Sequence, residues 1–316
     1  MANTTFSGPV RSENNVQLIS KTASTGVIHD RTQMSSKLWD ARRYYLYEPF
    51  LQRPGLNAIN IIDPDANDAT ALAVTQAANK NFETLGTNYT TALTTFPGTQ
   101  AGILMTTATA DQDQAILLPH LDTNQSAWSK VLWGTENQVE WECSVNLAAT
   151  DNQKVWAGLK LTNDQLPETD ADQAYFYYAS DATNGQALST FTPLYFIQSV
   201  NGTDYLTNTG VTVAASTNYH FRISIDSDRK PSIFINGVQY SATTTAATTF
   251  DGSTEITGTT QATIAESYSA TNANTQKAPA LKNDVYLIPY IGIENGAAAA
   301  EALNVHYTAI SRHVFE

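Results

Sequence analysis

The sequence predicts an all-β fold, a two-sheet sandwich of the jelly-roll kind preceded by an extended N-terminal arm, and three observations predict it. Charged residues are only 15% of the 316, and Lys, which helices use on their polar face, is scarce beside the Thr, Tyr and Val that suit a pleated, half-buried surface. From Ala101 onward, short apolar stretches recur between turn clusters. Several of those stretches alternate with period two, and the helical crossovers that a parallel sheet requires are missing from the pattern.

The chain opens with an arm, residues 1–48, in which Ser7-Gly8-Pro9, Asn14-Asn15 and Thr25-Gly26 interrupt apolar pieces too short to close a core. Within it Trp39, Arg43 and Tyr47 recur every four residues, which predicts a short amphipathic helix over 37–47, ended by Pro49 and Pro54. Residues 49–100 read as an irregular connecting region, rich in Ala, Thr and Asn, with one helical turn pattern near 69–78. The sandwich occupies 101–316. Its expected strands are 103–107, 115–118, 138–147, 155–162, 174–179, 194–199, 219–226, 232–235, 285–293 and 303–315.

The best defined of these puts Val139, Trp141, Cys143, Val145 and Leu147 on one face and Glu140, Glu142, Ser144 and Asn146 on the other. Phe221, Ile223 and Ile225 alternate with Arg222 and Ser224 in the same way, so these strands have one wet face, as antiparallel sheets allow. Residues 241–278 form a Thr-rich insertion, read as a long exposed loop or a β-excursion.

Charge is unevenly spread. Residues 1–55 hold seven basic and four acidic side chains, so the remainder carries −16 while the whole chain carries −13. A basic arm on an acidic body is suited to an acidic protein surface and unsuited to lying against a genome. Arg11, Lys21, Arg31, Trp39, Arg42, Arg43 and Tyr47, with Phe6 ahead of them, are the expected contact residues of the arm, because aromatics and Arg are the usual anchors of protein interfaces. No nucleic acid and no membrane partner is expected. No apolar stretch reaches the length of a membrane span or of a signal peptide's apolar region, which predicts a soluble chain made in a cytosol. Cys143 stands alone, so no intrachain disulfide forms, and its place on the apolar strand face makes it a small hydrophobe.

Catalytic patterns are weak. Glu140 and Glu142 share a strand face at i and i+2, about 6–7 Å apart at Cα, close to the spacing of glycosidase carboxylates, but no third acid follows where a glucanase strand would carry one. His29, His120, His220, His306 and His313 form no metal-ligand pair, and Gly292 and Gly296 lack the spacing of a phosphate loop. Asp226, Asp228 and Asn236 offer oxygen ligands for a weak calcium or glycan site, against the simpler reading that Asp226 stabilises its own turn. Neither cofactor nor catalytic residue is expected.

Two resemblances add to this. The stretch from Tyr219 through Asp226-Ser227-Asp228 and Pro231 to Asn236-Gly237 resembles the strand, acidic turn, strand and Asn-Gly hairpin of concanavalin A-like jelly rolls of laminin G and legume-lectin type, and implies that fold for 101–316. The opening Met1-Ala2-Asn3-Thr4-Thr5-Phe6-Ser7-Gly8-Pro9-Val10-Arg11, together with Leu118-Pro119-His120-Leu121-Asp122 and Trp133-Gly134-Thr135-Glu136-Asn137-Gln138, is similar to a group of tailed-phage virion proteins. That similarity implies a capsid decoration or cement protein, assembled in the bacterial host cytoplasm and found on the virion surface. Its arm would bind the major capsid protein lattice and its body would form a trimer or dimer. The alternative is a glycan-binding tail-fibre or virion-surface adhesion protein, recognising a host-surface glycan through 175–178 and the 241–278 loop.

Overall fold

The computed structural model describes residues 19–21, 28–30, 42–51, 54–55, 79–94, 102–119, 131–162, 164, 169–180, 193–246, 277–296 and 299–314. Among them the chain forms β1 (Ile19–Lys21), β2 (Ile28–Asp30), β3 (Arg43–Glu48), β4 (Pro54–Gly55), β5 (Asn79–Thr87), β6 (Tyr89–Thr94), β7 (Gly102–Thr107), β8 (Gln114–Pro119) and β9 (Glu140–Leu147). It continues with β10 (Gln153–Lys160), β11 (Gln173–Ser180), β12 (Pro193–Val200), β13 (Thr203–Thr212), β14 (Asn218–Ile225), β15 (Pro231–Ile235), β16 (Val238–Tyr240), β17 (Ile288–Asn295) and β18 (Ala302–His313).

These strands make two sheets. The first runs β1-β2-β16-β15-β14-β9-β18-β7-β6, with β3 also on β18, and the second runs β13-β12-β11-β10-β17-β8-β5-β4. Every described pairing is antiparallel except the short β4–β5 contact, and neighbours distant in sequence lie side by side, as in a jelly roll. The hairpin expected at 219–237 is present: β14 and β15 pair from Phe221↔Ile235 to Ile225↔Pro231, and the turn after β15 has Asn236 and Gly237 at φ 51° and 78°.

Alternation marks the core face of β9, but the face expected to be wet is covered as well, with Glu140, Glu142 and Asn146 at 2%, 4% and 5% exposed. Trp141, Cys143 and Val145 of β9 are fully buried and lie opposite Ile223, Phe221 and Tyr219 of β14. Trp141 donates its indole N–H to Thr308 Oγ1 of β18 at 3.1 Å, which satisfies the one polar atom its burial would otherwise strand. The sheets meet through rings: Phe176 of β11 stacks on Phe221 of β14 at 4.6 Å and 17°.

The ten expected strands are all found, and the structure corrects the reading elsewhere. Residues 43–48 are strand, not helix: Tyr45 and Tyr47 pair with Ser311 and Ala309 of β18. A spacing of four is also an even number, so Trp39, Arg43 and Tyr47 fit one face of a strand as well as one face of a helix. Residues 79–94, expected to be irregular, form β5 and β6. Asn88, in the left-handed region at φ 48°, carries the chain from one sheet to the other. Gly86 permits the close approach beside it, since a Cβ there would fall 2.0 Å from the Gln114 carbonyl oxygen. The Thr-rich β13 went unread because a strand at the rim of a sheet needs little apolar surface. The helical turn expected near 69–78 and most of the 241–278 insertion lie outside the described residues.

Candidate functional site

Three surfaces were candidates for function, and their exposure separates them. The outer face of the first sheet carries Glu140, Glu142 and Arg222. Arg222 lies with Cζ 3.9 Å from the Phe234 ring centroid and with Nη1 3.7 Å from Glu140 Oε1. Glu142 Oε2 stands 3.6 Å from His220 Nε2. Both carboxylates are under 5% exposed, so this pair reaches no open cleft.

Burial shapes the phenols around it. Tyr45 is pushed up to about 12 by burial first and then by the Glu142 charge, and Tyr307 is pushed higher for the same reasons. The folded state therefore keeps protons that the unfolded chain releases near pH 10. Stability is full below about pH 10 and falls as the pH rises towards about 12. Thermal melts on either side of that window check the sign.

The outer face of the second sheet is aromatic. Trp156 lies flat over Gly292, where a Cβ would fall 2.4 Å from the indole, and Tyr175 and Tyr177 meet edge to face at 6.2 Å. Lys160 Nζ is 4.6 Å from the Tyr290 ring centroid, and both Lys160 Nζ and the Tyr290 hydroxyl donate to the Asp164 carbonyl, at 2.9 and 2.6 Å. These side chains are 1% exposed or less. Phe176 and Tyr178, the other members of the 175–178 stretch expected to bind glycans, belong to the core. That stretch is thus no open surface.

The third surface is an open cleft of about 440 Å³ at one end of the sandwich, of the size in which small ligands are held. Residues 131–139, leading into β9, form one wall, and residues 284–287, leading into β17, form another. Gly134 and Tyr286 make an antiparallel bridge, and Thr135 N–H donates to the Val285 carbonyl as Leu287 N–H does to that of Trp133, at 2.9 and 3.0 Å. Trp133 is buried and anchors this wall in the core. A Cβ on Gly134 would meet Asn137 Oδ1 at 2.7 Å and the Tyr286 ring at 3.4 Å, so glycine is what lets both side chains lie down against the backbone.

The C-terminal end of β18 closes the cleft. Arg312 donates from Nη1 to the Leu132 carbonyl and from Nε to the His313 carbonyl at 2.9 Å, which fixes its guanidinium plane. Val314 N–H donates to the Arg42 carbonyl at 2.7 Å, tying this end to the start of β3. Tyr286 is 41% exposed, Leu132 36% and Val314 44%, and Glu136 and Asp284 are exposed beside them. Three of the seven exposed large apolar side chains of the described residues thus line one cleft. A fourth, Tyr44, stands opposite Arg312 in the β3–β18 register, its ring 5.9 Å from that of Trp133.

This arrangement offers a ring face for stacking, carboxylates and an amide for hydroxyl groups, and a fixed guanidinium as donor. Among the described residues no group of three or more His, Cys, Asp or Glu could hold a metal ion.

The other expected residues fall elsewhere. Arg43 donates to Ser311 Oγ and the Gln138 carbonyl at 2.7 and 2.9 Å, and Tyr47 is half-exposed with its ring 5.5 Å from Tyr307. Both lie in β3, inside the first sheet. Lys21 is in β1, while Phe6, Arg11, Arg31 and Trp39 lie outside the described residues. Asp226 and Asp228 sit before β15 and Asn236 after it. Asp226 Oδ1 accepts the N–H of Asp228 and of Lys230 at 2.9 Å each, Oδ2 takes Lys277 Nζ at 2.5 Å, and Asn236 Oδ1 accepts His220 N–H at 2.8 Å. Asp226→Ala removes three partners from one carboxylate and is expected to cost about 1–3 kcal/mol, measurable as a lowered denaturation midpoint. Cys143 is buried, and burial first, then Glu142, pushes its thiol well up.

No protein-family model matches the chain, and no curated protein matches it in sequence. Among solved structures it is similar to peanut lectin, at 8% identity and a TM-score of 0.42 over 87% of this chain and 100% of that one. It is also similar to a β-glucanase of Bacillus licheniformis, at 10% identity and 0.40 over 84% and 97%. A third is a protein of unknown function from Shewanella oneidensis MR-1, at 12% identity and 0.41 over 90% and 95%. None of these likenesses bears on what the chain binds.

Proposed function

We propose that the chain is a glycan-binding β-sandwich without catalytic activity, and that it serves as an adhesion protein on the surface of a virion. The virion placement comes from the sequence resemblance alone. The glycan reading rests on one observation: the open cleft that gathers Tyr286, Leu132 and Val314 with Glu136, Asn137, Asp284 and Arg312. A sugar ring has an apolar face and a girdle of hydroxyl groups. Such a cleft matches both, the ring stacking on tyrosine while the carboxylates and amide take the hydroxyl hydrogens.

Capsid decoration is less well supported. That reading rests on an arm of which Phe6, Arg11, Arg31 and Trp39 lie outside the described residues, and Arg43 donates to Ser311 and Gln138 within its own sheet. Hydrolysis is less well supported too, since the Glu140 and Glu142 carboxylates are buried away from the cleft.

A glycan array probed with the purified chain tests the proposal. Binding to a defined set of host-surface glycans, lost on Tyr286→Ala, is the expected outcome. Uniform silence of the array, alongside saturable attachment to capsids stripped of accessory proteins, would return the decoration reading to first place.

A further inference from the structure

We infer that the cleft selects acetamido sugars, glycans bearing an N-acetylated amino group, over sugars with a hydroxyl at that position. The inference rests on the glycan reading above and names the class of sugar it concerns.

The cleft is lined mainly by polar groups, and two apolar side chains stand exposed on one of its walls. Leu132 and Val314 are 36% and 44% exposed, and both line a wall that also carries Arg312. Leu132 is held by the guanidinium, which takes its carbonyl oxygen, and Val314 by β3, through the Arg42 carbonyl at 2.7 Å. The two side chains are therefore presented on a fixed backbone, not on a wandering tail. A methyl group laid against them removes apolar surface from water on both partners.

The polar groups complete the match. An acetamido group carries an amide N–H, a carbonyl oxygen and a methyl on one flat unit. Glu136 and Asp284 are exposed carboxylates that accept an N–H, and the Arg312 guanidinium on the same wall donates towards a carbonyl. Among the described lining residues two carboxylates stand against one guanidinium, a negative balance that disfavours sulfated and uronic glycans and favours neutral acetamido sugars. A plain hydroxyl could use the carboxylates but would leave Leu132 and Val314 against water.

A matched pair of probes isolates the group: the β-1,4-linked trimer of N-acetylglucosamine and the β-1,4-linked trimer of glucose, which share backbone and linkage. Calorimetric titration of the full chain is expected to give a Kd about tenfold lower for the acetylated trimer. Val314→Ser, at a half-exposed position outside the sheet ladder, is expected to shrink that ratio several-fold, the acetylated trimer losing more affinity than the glucose trimer. Equal affinities for the two trimers, or an unchanged ratio in Val314→Ser, would overturn the inference. Should neither trimer bind while other glycans on the array do, the acetamido preference falls and glycan binding stands. Should no glycan bind, both fall.

Discussion

Phe176→Ala is expected to destabilise the sandwich by about 3–5 kcal/mol, among the larger costs a single substitution brings. The ring is 1% exposed and sits where the two sheets meet. It stacks on Phe221 of the first sheet at 4.6 Å and tilts against Phe196 of its own sheet at 5.6 Å. Deleting it removes the apolar burial and leaves a void between two rigid layers that cannot collapse without shifting a strand register. Because an open cleft and a core contact are separate features, the variant is expected to lose thermal stability while the fraction still folded keeps its glycan affinity. Urea denaturation, followed by tryptophan fluorescence, measures the first part. A loss below about 1 kcal/mol would mean that the sheets are not clamped through this ring.

Tyr286→Ala is expected to weaken glycan binding about thirtyfold, equivalent to about 2 kcal/mol, the range of a hot-spot aromatic. The effect on folding is small by contrast. The ring is 41% exposed, and what the position gives the fold is its backbone bridge to Gly134, which alanine keeps. Tyr286→Phe separates stacking from hydrogen bonding: retention of most of the affinity assigns the role to the ring face, and loss assigns it to the hydroxyl.

Much of the fold was legible in the sequence because an antiparallel strand with one wet face writes its period into the residues. The run from Val139 to Leu147 turns its apolar set to the core as its alternation requires, although the set expected to be wet, Glu140, Glu142 and Asn146, is buried as well, and the hairpin from Tyr219 to Gly237 is where its turn residues place it. Arg43–Glu48 misled because a spacing of four is compatible with both periods. Asn79–Thr94 was unread because strands passing from one sheet to the other at an edge are free to be Thr- and Asn-rich. The cleft had no local signature. Glu136 and Asn137, Asp284 and Tyr286, and Arg312 come from three stretches far apart in sequence, and only the Gly134–Tyr286 bridge and the Arg312–Leu132 bond bring them together. Gly134 was visible in sequence as part of a phage-like stretch, without any sign that it seats two neighbouring side chains. The aromatic run Tyr175–Tyr178, which stood out in the sequence, is buried on both faces of its strand.

The most direct test of the cleft as the glycan site is backbone amide shift mapping by NMR as the best array glycan is titrated into the isotope-labelled chain. The account predicts shifts concentrated at Trp133–Gln138, Asp284–Leu287 and Arg312–Val314, saturating with the calorimetric Kd. Shifts centred instead on Trp156, Tyr175, Tyr177 and Tyr290 would move the site to the outer face of the second sheet and contradict it.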